Sequence, residues 1–364
     1  MKKLKILVVI SMTLSLSGCL LQEKDITQLV FPVTVMISKK NENYQIHMLR
    51  LSNSTSSKIE LESGLQDTMY STLSFEGKTI SEASQKIGIV TNGNISAIKI
   101  RSIIFHKSLF ENSDINYNQI TSYIINNPLY RTNIYAYYTE DEPDKILNIN
   151  SLNFSTNTHY YLTRPDHKHL NDIILPRKLL DTAKSYADNQ RMFYLPSLKM
   201  SDENLKQEQD GELKPVNYFV IDGAYFLTKN DDFKFIEIEH LNGFKWRGNN
   251  DYFDIELGDE HKLVNLKIED SSWKSTIKDG QIYVDIKVTS KINYNHSEYT
   301  PSQIEEMLKE YIKQDILNTY DYAHKDIDIY WFNDLSYRTN KKIESENTFN
   351  LNITTTIKNT IYEY

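Results

Sequence analysis

Residues 273–316 read WKSTIKDGQIYVDIKVTSKINYNHSEYTPSQIEEMLKEYIKQDI, and the change of apolar period inside this stretch decides the fold class. Trp273 to Ile277 and Ile282 to Ile292 alternate around Lys278-Asp279-Gly280, the pattern of two half-buried strands joined by a tight turn. From Thr300 the period lengthens. Thr300 reads as an N-cap, Pro301 as the first helical residue and Gln303 as the reciprocal member of a capping box. Ile304, Met307, Leu308, Tyr311 and Ile312 then make one apolar stripe. A long helix over 301–316, preceded by strands (Leu263 to Ile268 is a third) and followed by strand-like runs at Ile327 to Phe332 and Phe349 to Ile361, describes an α+β unit over 251–364.

Upstream the same alternation of periods recurs. Val33, Val35 and Ile37, a polar turn over Ser38 to Asn43, and then Tyr44, Ile46 and Met48 predict a hairpin, and Ser52 to Ser57 a loop. Thr79 with Glu82 forms a second capping box, with Ala83 and Ile87 on one helical side. Ile95 to His106 reads as a buried strand, Asp114 as the cap of a helix that ends before Pro128, and Thr132 to Tyr138 as another strand. Pro176 opens a helix carrying Leu179, Leu180, Ala183 and Ala187. Leu195 to Val216 is polar and aperiodic and reads as a loop, after which Tyr218 to Leu227 and Phe233 to Ile238 flank the turn Lys229-Asn230-Asp231-Asp232 as a hairpin. The expected organisation is an N-terminal α+β domain over 29–192, a small β-rich middle domain over 193–250 and the C-terminal α+β domain over 251–364. Each is a mainly antiparallel or mixed sheet with flanking helices. No repeat period of a solenoid is present.

The chain begins with an export signal. Lys2, Lys3 and Lys5 are basic, Leu4 to Leu16 is apolar but shorter than the roughly 20 residues that span a bilayer, and Ser17 and Gly18 are small. Leu16-Ser17-Gly18-Cys19 resembles a lipobox, so residues 1–18 are expected to be removed and Cys19 to carry a thioether-linked diacylglyceryl group. Acyl chains of palmitate length hold such a protein at the bilayer, since each buried CH₂ contributes about 0.8 kcal/mol. Residues 19–28 then form a tether of at most about 30 Å.

Charge and composition remove other classes. The chain carries 41 Lys and Arg against 49 Asp and Glu, net −8, and loss of Lys2, Lys3 and Lys5 takes it to −11. No basic stripe is interleaved with aromatic residues, so no nucleic-acid partner is expected. One cysteine permits neither an intrachain disulfide nor a cysteine zinc site.

Taken in order, the landmarks resemble the Ger(x)C spore germination lipoproteins, the C subunits of nutrient germinant receptors, over nearly the whole mature chain. The likeness is carried by the lipobox with Asp25-Ile26-Thr27-Gln28-Leu29, by Gly77-Lys78-Thr79-Ile80-Ser81-Glu82-Ala83 and by Ile100 to Leu109. It continues in Gly223-Ala224-Tyr225-Phe226, in Asn242-Gly243-Phe244-Lys245-Trp246, and in the helix from Thr300 to Asp315 running into Ile316-Leu317. Family members carry a Trp-Asp-Arg-like stretch after the lipidated cysteine, where this chain has Leu20-Leu21-Gln22. The resemblance implies three α+β domains and attachment to the outer face of the spore inner membrane. It also implies assembly with membrane-embedded A and B subunits, a response to small nutrients, and no enzymatic activity. Cys19 is the one functional residue it transfers.

Candidate chemistry elsewhere is sparse. His167 and His169, with Asp166 and Asp172, are spaced as loop metal ligands, although a solvated polar loop explains them as well. Glu237 with Glu239, and Asp254 with Glu256, are carboxylate pairs that a strand would turn to one side, which is also what an exposed strand face looks like. Tyr135, Tyr137, Tyr160, Tyr161, Tyr330 and Trp331 are candidate docking aromatics, with buried sheet positions as the alternative. No nucleophile elbow, Walker loop, dinucleotide fingerprint or H-E-x-x-H helix occurs, so no catalytic residue, metal or cofactor is expected. The competing readings are a solute-binding or adhesive surface lipoprotein and a surface-anchored hydrolase.

Overall fold

The computed structural model describes residues 32–51, 70–90, 100–111, 117–126, 133–147, 162, 173–187, 193–203, 206–209, 212–215, 217–228, 232–247, 253–259, 262–295, 299–344 and 349–358. These residues build two main sheets and one small ribbon, with helices packed against the sheets, an α+β fold.

The first sheet starts from the expected hairpin. β1 (Pro32–Lys40) and β2 (Asn43–Leu51) pair antiparallel across Asn41 and Glu42, both with positive φ, so the turn is only two residues long. β3 (Tyr70–Gly77) adds to β2, and α1 (Ile80–Val90) follows at once. Its start is fixed by the predicted pair: the Glu82 amide donates to Thr79 Oγ1 at 3.1 Å, and the Glu82 carboxylate accepts from the Lys78 amide at 2.9 Å. Gly77 is required at this corner, because a Cβ there would lie 2.5 Å from the Ala83 nitrogen. On the other side of β1 come β4 (Ser102–His106) and β5 (Tyr135–Thr139), both parallel to it. α2 (Tyr117–Asn126) makes the crossover between them. The short α3 (Pro143–Leu147), the two-residue β6 (Arg177–Lys178) and α4 (Leu179–Ala187) follow, so this helix begins three residues after Pro176.

The polar stretch expected as a loop is largely strand. β7 (Tyr194–Ser201) runs parallel to β5, and β8 (Lys206–Gln209) and β9 (Glu212–Pro215) form the small ribbon. β10 (Tyr218–Leu227) and β11 (Phe233–Glu237) make the predicted hairpin, but β10 pairs with β7. The long strands of residues 193–250 thus extend the first sheet, in the order β11-β10-β7-β5-β4-β1-β2-β3, instead of forming a sheet of their own. The reason is burial on both faces. Leu195 packs in the core with Ile37, Phe105 and Tyr138, Leu198 in that of the opposite face with Met36 and Tyr137, so this strand does not show the one-sided pattern of an isolated hairpin.

A 3-10 helix, Ile238–Trp246, leads to the second sheet, β12-β13-β14-β15. β12 (Phe253–Leu257) is an edge strand, and β13 (Val264–Lys278) is one continuous strand where two were expected. A bulge between Ile268 and Asp270 shifts the register. It puts the polar Glu269 to Ser272 run inside the strand, where the sequence looks like a turn. β14 (Gln281–Asn295) returns across Asp279 and Gly280, both at positive φ, as their types predict. α5 (Pro301–Ala323) begins with the full capping box of Thr300 and Gln303 and runs seven residues past the expected end. Its buried stripe of Ile304, Leu308, Ile312, Ile316 and Tyr320 lies against the second sheet and the 3-10 helix. Side chains of this kind contribute about 1.5 to 3 kcal/mol each when fully buried.

Residues 327–332 are not the strand that their alternation predicts. The Asp328 carboxylate accepts from the amides of Phe332 and Asn333, both at 2.8 Å, and Trp331 adopts φ 59°, which turns the chain into α6 (Phe332–Thr339). β15 (Phe349–Lys358) then pairs parallel to β14, as the helical connection between them allows.

Candidate functional site

The lipobox residues Leu16, Ser17, Gly18 and Cys19 precede the described residues, as does the 19–28 tether. His167, His169, Asp166, Asp172, Tyr160 and Tyr161 also lie outside them. The carboxylate pairs are placed separately. Asp254 and Glu256 are exposed on one face of the edge strand β12, near the Asn293 amide (3.4 Å) and the Tyr294 hydroxyl (2.7 Å) respectively. Glu237 ends β11 while Glu239 lies in the 3-10 helix, where it and His240 bring three ligand-type atoms within 4.8 Å of one another at the surface. Among the candidate aromatics, Tyr137 and Tyr330 are fully buried, with their hydroxyls donating to the carbonyls of Leu162 and Ile316 at 2.9 Å each. These two are core residues; Tyr135 packs at the edge of the core, and Trp331 lines a cleft.

That cleft, about 260 Å³, lies where α4 of the first sheet meets α6 of the second. Arg177, Lys184 and Ser185 come from the α4 side, Trp331, Asp334 and Arg338 from the α6 side. Arg177, in β6 just ahead of α4, donates to Ser185 Oγ of that helix at 2.9 Å, and its guanidinium lies 5.3 Å from the Tyr194 ring centre and 5.9 Å from that of Trp331. Arg247, at the end of the 3-10 helix, stacks on Trp331 with 3.1 Å from Cζ to the ring centre. Burial lowers the Arg247 guanidinium to about 9, opposed by Asp328, so it keeps its charge at neutral pH. Asp334 is buried in the first turn of α6, where its charge suits the helix end, and pairs with Arg338.

The sequence holds eight arginines, and three of them, Arg177, Arg247 and Arg338, gather here around a single tryptophan. Scarcity was the available signal. In a chain that otherwise uses lysine, arginine persists where a planar cation must stack or fork. Nothing in the spacing announced the meeting, since Arg177 and Trp331 are 154 positions apart.

A second hollow, about 470 Å³, lies beside the start of α1, lined by Lys39, Glu42, Lys78 and Tyr123. In β2, the buried His47 ring is bracketed by Ser38 Oγ at 3.0 Å from Nε2 and Ser74 Oγ at 2.8 Å from Nδ1. Burial depresses the basicity of His47 and of the nearby His106. Hydroxyl partners on both ring nitrogens suit a neutral imidazole.

Among the described residues no helix is long and apolar enough to cross a membrane. No curated protein is significantly similar to the chain. In structure the chain is similar to the crystal structure of the GerBC protein, at 14% identity and a TM-score of 0.46, over 92% of this chain and 99% of that one. In sequence, residues 22–200 match the family model described as the spore germination protein N-terminal domain. That match runs from just behind Cys19 into β7, and over these residues the chain is a spore germination protein N-terminal domain.

Proposed function

We propose that this protein is the lipid-anchored C subunit of a nutrient germinant receptor, acting by binding and not by catalysis. In this reading Cys19 is acylated after removal of residues 1–18, and the body stands on the outer face of the spore inner membrane beside membrane-embedded A and B subunits. The observation that carries it is the position of the germination-protein match, which starts three residues after Cys19. The matched segment therefore begins inside the 19–28 tether, directly behind the lipid site. Confinement to a layer this thin raises the effective concentration of the body next to its partners, so contacts of modest strength suffice.

The test is genetic and chemical. Deleting the gene is expected to leave sporulation normal and to abolish germination in particular single nutrients. Mass spectrometry of the mature N-terminal peptide is expected to find diacylglyceryl on Cys19, and Cys19→Ala to release the protein from membranes with loss of germination. An unmodified Cys19, or a Cys19→Ala protein that stays with membranes and supports germination at the wild-type rate, would overturn the proposal.

A further inference from the structure

The hollow beside the start of α1 gathers polar groups that the described chain does not satisfy. Tyr44 is only 7% exposed, its side chain packed in the core with Ile46 and Ile80, yet it lines the hollow. What it presents there is therefore the tip of the side chain, and among the described residues this hydroxyl has no hydrogen-bond partner. A tyrosine set this deeply ordinarily finds one, so the open side of the phenol is a place for an occupant.

The neighbouring groups are donors as well. α1 is eleven residues long, and the amides of Glu82 and Ala83 are taken by Thr79, through Oγ1 at 3.1 Å and the carbonyl oxygen at 3.0 Å. The amides of Ile80 and Ser81 have no carbonyl one turn earlier to receive them, and both residues line the hollow. The charges agree. Glu42 is matched by Lys39 at 2.9 Å and Glu82 by Lys86 at 3.1 Å, which leaves the Lys78 ammonium on the wall without a carboxylate in ion-pair contact among the described residues. One unmatched cation beside the positive end of a helix calls for one negative charge, which a carboxylate supplies and a phosphate dianion exceeds. The Tyr123 ring and Ile80 add apolar wall, and a space of about 470 Å³ is larger than a bare carboxylate fills.

From this geometry we infer that the hollow binds a small organic acid. Its carboxylate accepts from the Tyr44 hydroxyl, the Lys78 ammonium and the first amides of α1, and its body lies against Tyr123 and Ile80. The inference does not depend on the receptor reading; it concerns this body alone.

The full chain in detergent is titrated in a calorimeter with sodium benzoate, sodium hexanoate and sodium phosphate, with sodium chloride at matched ionic strength as the reference and detergent alone as the blank. At least one of the two organic acids is expected to saturate where chloride does not, and phosphate is expected to bind more weakly than that acid. Lys78→Gln, at an exposed position, is expected to weaken binding of the acid by about tenfold, and Tyr44→Phe, which removes only an unpartnered hydroxyl, by about threefold to tenfold. Lys309→Gln, an exposed lysine on α5, should leave the affinity as it is. Failure of both acids to saturate, tighter binding of phosphate, an affinity that either Lys78→Gln or Tyr44→Phe leaves unchanged, or an equal loss in Lys309→Gln would each overturn the inference.

Discussion

The Lys245 ammonium lies 2.9 Å from the Asp315 carboxylate, with the lysine buried and the aspartate largely so, and this pair ties the 3-10 helix to the middle of α5. The same carboxylate accepts from the Trp246 indole at 3.0 Å, and the ammonium is surrounded by the rings of Trp246, Phe253 and Tyr311 at 4.9 to 6.0 Å. One acidic residue thus satisfies two adjacent donors on the segment that passes between the sheets. Breaking such a pair by removing one partner leaves a charge buried alone, at a cost of about 3 to 5 kcal/mol.

Lys245→Met and Asp315→Asn are each expected to lower stability by that amount in urea titration. The double variant should lose much less than the sum of the two, because neither unpaired charge remains. Strict additivity in this cycle would mean that the two groups do not interact in solution.

Gly243 sits where the 3-10 helix touches α5. A Cβ at this position would fall 2.3 Å from the Tyr330 hydroxyl, 2.6 Å from the Asp315 carbonyl oxygen and 2.7 Å from the Ile316 Cα. Two of the three obstacles are backbone. Gly243→Ala is therefore expected to destabilise by about 1 to 3 kcal/mol through overpacking, and Tyr330→Phe, which removes only the hydroxyl, should not rescue it. Full rescue in the double variant would show that the helix contact is looser than this geometry.

These contacts indicate how much the sequence revealed. Features set by a few consecutive residues were legible: the Asp279-Gly280 turn, the Thr300 capping box and the start of α1 at Thr79. The alternation at Ile327 to Phe332 misled because Asp328 bonds forward to Phe332 and Asn333, a local device stronger than a period of two. Where β7 and β10 belong was illegible, since strand partners such as Tyr138 and Ser197 are chosen by burial across long separations. The cleft escaped for the same reason. Its cations lie in segments that do not resemble one another, and their meeting point is a tryptophan whose backbone conformation no propensity favours. The glycine and tryptophan of Asn242-Gly243-Phe244-Lys245-Trp246 did stand out, and the structure gives them a packing role.

The Thr300 side chain and the Gln303 side chain each satisfy a backbone donor at the start of α5. Thr300→Ala removes one of these bonds and is expected to cost about 1 kcal/mol, whereas Thr300→Ser should be close to neutral. Equal losses in the two variants, measured by thermal denaturation, would point to packing of the threonine methyl instead of the cap.

The histidines make stability depend on pH in a direction that can be worked out. His47 and His106 are lowered from the usual 6.5, chiefly by burial; Asp144 opposes this at His47 and Glu142 and Glu111 at His106, while His106 adds to it at His47 and Lys107 at His106. In the unfolded chain both protonate near 6.5, and in the folded chain only at lower pH. Between those values the unfolded state binds more protons, so stability falls as pH falls. The contribution is complete above about pH 7 and is lost progressively below the unfolded value. The urea midpoint of the wild-type chain is thus expected to decline from pH 7 to pH 5. In His47→Gln with His106→Gln, which cannot titrate, that decline should be shallower even if the starting stability is lower. A slope unchanged in the double variant would assign the pH dependence to the carboxylates instead.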